Sequence, residues 1–118
     1  MLDSSGFAVP GKGDCGAIYN QFAPLVNACS AALTWQAYDV FFRAPREGEH
    51  VGPRITALHN GQLIHNNIEL PGVTGAALDE EVYTPGPLLL QDHSDLVCYR
   101  NIWIVEQPLV GSDTYEPR

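Results

Sequence analysis

Basic residues are scarce in this chain. Six Lys and Arg stand against fourteen Asp and Glu in 118 residues, giving a formal net charge of −8. Nucleic-acid binding needs clustered Lys and Arg to neutralise phosphates. The few here are scattered, which argues against a nucleic-acid partner and, equally, against an anionic membrane surface. Long apolar runs are missing as well. No stretch approaches the ~20 residues of a membrane-spanning helix. The first residues lack the basic segment and apolar run of a signal peptide, an absence that says nothing of secretion if residues precede Met1. Cysteine is sparse, at three, and no C-x-x-C pair occurs, so a structural zinc site is unsupported. Internal repeats and low-complexity tracts are also lacking.

The hydrophobic fraction of 45% and charged fraction of 17% belong to a globular chain rather than a disordered one. Its length suits a single domain spanning residues 1–118. The pattern is all-β. Residues 1–33 are punctuated by Ser4-Ser5-Gly6, Pro10-Gly11, Gly13-Asp14 and Pro24, and read as a long ordered loop with a short strand near Gly16–Tyr19 and a helical turn within Asn27–Leu33. Thr34–Ala44 carries β-formers on both faces, which predicts a strand buried on both sides. The charged, Gly-rich run from Arg46 to Gly52 is a loop tip.

Arg54–Leu70 predicts a hairpin turning at Asn60-Gly61, the strongest two-residue hairpin signal. That turn pairs His59 with Gln62, Leu58 with Leu63, Ala57 with Ile64, Thr56 with His65 and Arg54 with Asn67. Alternation then sends His59 to the apolar face, and His65, Asn67 and Glu69 to the polar one. His59 and His65 share a side only if a bulge at Asn66-Asn67 flips the register. Residues 71–85 read as a loop. Leu88–Asp92 and Leu96–Val105 predict a last strand pair, with Cys98 as a small core residue and a polar tail from Gln107.

Side chains able to do chemistry gather at the junction of that last pair. Gln91 can hold a hydroxyl, Asp92 and His93 can move protons, and Arg100 can bind an oxyanion. His93 shares its parity with Gln91, whereas Asp92 reaches the same site only from a turn. Each has a plainer alternative: a turn histidine, a structural hydrogen bond, an ion pair of Arg100 with Asp92 or Glu69. His65, Asn67 and Glu69 could complete a groove, and His59 could contribute from the turn end. Trp35, Tyr38 and Trp103 could stack on a sugar ring, although aromatic strand residues usually fill cores.

Several short segments, in order, resemble one family. They are Gly13-Asp14-Cys15-Gly16-Ala17-Ile18-Tyr19, Ala23-Pro24-Leu25-Val26-Asn27-Ala28-Cys29, Trp35-Gln36-Ala37-Tyr38-Asp39-Val40, His59-Asn60-Gly61, Asn67-Ile68-Glu69-Leu70-Pro71-Gly72, and the run Gly86–Ile104. Together they are similar to the 3-keto-disaccharide hydrolases. The resemblance implies a concanavalin A-like β-sandwich (jelly roll), incomplete in this chain because family domains begin with strands upstream of Leu2-Asp3-Ser4. It implies cleavage of glycosides oxidised at C3, with His93, Asp92 and His65 as catalytic candidates and Gln91, Arg100, Asn67, Glu69 and His59 as sugar contacts. A divalent metal could polarise the ketone. Family members often carry Cys at the positions of Cys15 and Cys29, implying a disulfide in an oxidising, periplasmic or secreted, location; two buried thiols are the alternative. The implied partners are a carbohydrate and either a second copy or a complementing chain. A lectin-like binding module and a structural or assembly domain remain the competing readings, since one architecture hosts many functions.

Overall fold

Asn60 and Gly61 make a two-residue turn. In the computed structural model, which describes residues 4–46, 48 and 51–108, both have positive φ, 50° and 78°, the type I′ geometry that matches strand twist. The turn joins two of three strands in one antiparallel sheet: β1 (Tyr38–Arg43), β2 (Arg54–His59) and β3 (Gln62–Glu69), in the order β1-β2-β3. The all-β expectation holds to this extent: the described residues form strands, turns and loops without a helix.

Next to the turn the register is the expected one, His59 with Gln62 and Leu58 with Leu63. Further along it departs. Ala57 pairs with His65, Ile55 with Ile68 and Arg54 with Glu69, in place of Ile64, His65 opposite Thr56, and Asn67. Two bulges on β3 account for the difference. The first inserts Ile64, so Ile64 and His65 both turn inward, 1% and 3% exposed. The second lies opposite Thr56, where Asn67 takes a positive φ of 48° and its N–H donates to the Thr56 hydroxyl at 2.9 Å.

The long N-terminal loop causes the first bulge. It crosses the inner face of the hairpin, where Leu25 N–H donates to the Ile64 carbonyl at 2.9 Å. His65 Nε2 bonds the Gly16 carbonyl at 2.7 Å. A buried carbonyl freed from a ladder must find a donor, and the loop supplies it. The core is correspondingly small: Cys15, Ala28, Ala57 and Ile64 are its buried apolar members among the described residues.

Other expectations need correction. The first strand is shorter than Thr34–Ala44, and all six of its residues are exposed, because β1 is a sheet edge covered only in part, where Tyr38 meets His59 and Cys15. The segment near Gly16–Tyr19 forms only an isolated bridge, Ile18 to Phe22. Asn27–Leu33 has no helical turn; a tight turn closes with Thr34 N–H on the Ala31 carbonyl, Leu33 having φ of 62°. Residues Met1–Leu88 form one unit and Leu89–Arg118 a second. In the second, Leu96–Val105 is not a strand, nor is Leu88–Asp92, and Leu96, Ile102, Trp103 and Ile104 are exposed. An apolar run becomes a strand only with a ladder neighbour, and neither segment has one among the described residues. Glu47, Glu49 and His50 of the expected loop tip, and the tail beyond Pro108, lie outside the described residues.

Candidate functional site

Two groups of polar side chains stand on the hairpin, one inside and one outside. The inner group begins at His59, which is fully buried and lies flat on Tyr38, with ring centroids 4.3 Å apart and planes 5° apart. Gln36 Oε1 accepts from Ser30 N–H at 3.0 Å and from the Asn60 amide at 2.6 Å. With the Gln36 oxygen so identified, His59 Nε2 at 3.0 Å must be a donor. His59 Nδ1 is then a bare lone pair, buried without a hydrogen-bond partner. Burial lowers the pKa of this imidazole, since a charge there would have no solvent.

Asn60 does more than turn the chain. Its amide also donates to the Ala28 carbonyl at 2.8 Å, and its side-chain oxygen accepts from Ala37 N–H at 2.9 Å. Beyond Tyr38 lies the cysteine pair. The Tyr38 hydroxyl meets Cys15 Sγ at 3.5 Å. Cys15 and Cys29 are both free thiols here, and Cys29 is near enough to help raise the pKa of the Cys15 thiol. Burial pushes the Cys15 thiol pKa up, and the Tyr38 hydroxyl is likewise held protonated, first by burial and then by Cys15.

His65 was expected on the outer, polar face with Asn67 and Glu69. The first bulge turns it inward instead, on the same side as His59, where its Nε2 is taken by Gly16. The outer group therefore consists of Arg54, Asn67 and Glu69. Arg54 Nε donates to Asn67 Oδ1 at 2.9 Å, and its guanidinium pairs with Glu69 at 3.0 Å. Glu69 also lines an open depression of about 490 Å³ with Pro45, Val51, Gly52 and Tyr83, within the size range of small-ligand sites.

Gln91, Asp92, His93 and Arg100 all lie exposed in the second unit. The Asp92 carboxylate accepts from Ser94 N–H at 3.0 Å, closing an Asx turn. The Gln91 carbonyl accepts from the Tyr99 hydroxyl at 2.7 Å. The structure thus joins Arg54 to Asn67 and Glu69, and places His59 and His65 inside the hairpin. Among the described residues no three His, Cys, Asp or Glu side chains converge as metal ligands would.

Gln36 and Tyr38 were missed as organisers of the inner group. Their signal was the Trp-Gln-x-Tyr spacing, which puts Gln36 and Tyr38 on one face of an extended chain.

Residues 1–105 match the family described as the 3-keto-alpha-glucoside-1,2-lyase-like domain. The chain belongs to this family. A crystal structure of a candidate glycosyl hydrolase from Parabacteroides distasonis ATCC 8503 is similar, with 29% sequence identity and a TM-score of 0.59 over 73% of this chain. The chain spans 38% of the length of that protein. No curated protein matches.

Proposed function

We propose that the chain acts on glycosides oxidised to a ketone at C3, within a concanavalin A-like sandwich of which the three-stranded sheet is one part. The family match over residues 1–105 carries this reading. A C3 ketone acidifies the C2–H bond. A base removes that proton, the C1–O bond breaks as the C1=C2 double bond forms, and the leaving oxygen takes a proton. Water then adds across the double bond, so the net products are a 3-keto sugar and an alcohol. The chemistry needs a base, an acid and a donor to the enolate oxygen, not the carboxylate pair of ordinary glycosidases.

His93 is the exposed imidazole among the candidates and is assigned as base, with Arg100 as donor to the enolate oxygen. Asp92 positions the turn that carries His93. Gln91 is assigned to a sugar hydroxyl. His59 and His65, 0% and 3% exposed, keep structural roles. The test is turnover of a 3-keto-glucoside in D2O. Deuterium should enter C2 of the product, and His93→Gln should abolish both exchange and cleavage. Cleavage without exchange, or full activity in His93→Gln, defeats the assignment.

The same burial of two imidazoles favours one competing reading, a carbohydrate-binding module without turnover. Calorimetric binding of a glycoside with no product formed would establish it. An oxidising location, periplasmic or secreted, completes the proposal, with the neighbouring Cys15 and Cys29 thiols joined there as a disulfide. Protein isolated from an oxidising compartment should titrate one thiol, Cys98, after denaturation; three would refute the bridge.

A further inference from the structure

The open edge of β1 carries its own pairing code. Asn60 N–H donates to the Ala37 carbonyl at 2.8 Å, and β1 pairs with β2 from Tyr38–His59 to Arg43–Arg54. In an antiparallel ladder successive residues point their N–H and C=O groups to alternate sides. Ala37, Asp39, Phe41 and Arg43 therefore point theirs toward β2, and Val40 and Phe42 point theirs outward. Among the described residues no strand lies beyond them. The side chains are as bare as the backbone: Val40 is 54% exposed, Phe41 60% and Phe42 60%. An apolar edge of this kind is a template for another strand.

We propose that two copies of this chain pair through β1, antiparallel, about a two-fold axis at Phe41. Outward residues must meet outward residues, so registers differ in steps of two. An axis at Val40 sets Asp39 against Phe41. An axis at Phe42 sets Asp39 against Pro45 and Phe41 against Arg43, so Arg43 meets no acid. An axis at Phe41 hydrogen-bonds Val40 to Phe42 of the other copy, twice, and brings Phe41 against Phe41. It also sets Asp39 across from Arg43 of the other copy, again twice.

Charge supports this register. Within its own sheet Arg43 stands directly opposite Arg54, a like-charge pair that disfavours the ladder. Arg54 is already engaged by Glu69. The second copy's Asp39 gives Arg43 the acid it lacks. One face then reads Glu69, Arg54, Arg43, Asp39 across four strands. Exposed ion pairs add little affinity, so their effect is to select the register, while the backbone bonds and apolar pairs hold the strands. Strand pairing needs nothing from the sugar chemistry, and its failure leaves the glycoside reading untouched.

Sedimentation of the full chain and three variants tests this. The wild type should be a dimer at micromolar concentration. Asp39→Arg, which opposes two arginines, should weaken the dimer by about tenfold or more. The double variant Asp39→Arg/Arg43→Asp should restore it. Phe41→Cys should form a covalent dimer on oxidation, because residues on the axis face each other, whereas Val40→Cys should not. A monomeric wild type, an unaffected Asp39→Arg, a double variant that stays apart, or equal cross-linking at both positions would each overturn the proposal. If a charge variant fails to fold, the two cysteine variants decide alone.

Discussion

Gly16 shows how tightly single residues determine this structure. Its φ is 85°, and an added methyl group would lie 3.1 Å from Ile64 Cδ1 and 3.7 Å from His59 Nδ1. Gly16→Ala should therefore destabilise by about 1–3 kcal/mol, read by urea unfolding. His59 provides a second measurement. Its pKa is lowered below the ordinary 6.5 by burial, so the unfolded chain binds the proton more readily. The stability from keeping it neutral is complete above about pH 6.5 and is lost as pH falls through the folded value. The thermal midpoint should drop on going from pH 7 to pH 5, and His59→Gln should flatten that slope. The buried side of His59 was legible in advance, because Asn60-Gly61 fixes the two pairs nearest the turn. The inward turn of His65 was not, because the donor that draws out the Ile64 carbonyl sits on Leu25, nearly forty residues away in sequence.

The hairpin is the element on which everything else hangs. Its turn was readable from two residues, yet its bulges carry none of the Gly or Pro signals that usually announce them; Asn66-Asn67 alone hinted at one. The dominant role of Asn60 was equally hidden, since Asn-Gly predicts a turn and says nothing of what the amide grips. Asp-Gly turns as well as Asn-Gly, so Asn60→Asp isolates that grip. It keeps an acceptor for Ala37 N–H but loses the donor to Ala28, Ser30 and Gln36. The expected loss is about 2 kcal/mol or more, measured by chemical unfolding, with the strand signal of the folded baseline unchanged.

Across the whole molecule, large apolar side chains lie exposed in each unit: Val40, Phe41 and Phe42 in the first, Leu96, Trp103 and Ile104 in the second. The sequence predicts strands at both places; Tyr38–Arg43 forms one and Leu96–Val105 does not, because what pairs with or packs on an apolar run is recorded in no local pattern. A chain stabilised by its own association unfolds at a temperature that depends on its concentration. The thermal midpoint should rise with protein concentration in the wild type and, over the same concentrations, rise less in Asp39→Arg. The family assignment was likewise legible from short segments in order.

The grip of Asn60 on its neighbours also has a chemical side. An asparagine followed by glycine is the pair most apt to cyclise to a succinimide and reopen as isoaspartate, once the glycine nitrogen can reach the amide carbon. Here that amide is held by Ala28, Ser30, Gln36 and Ala37, which keeps it from swinging onto Gly61. Deamidation therefore waits for the turn to come undone. Isoaspartate at position 60 becomes a molecular clock, recording how long each molecule has spent with its hairpin open.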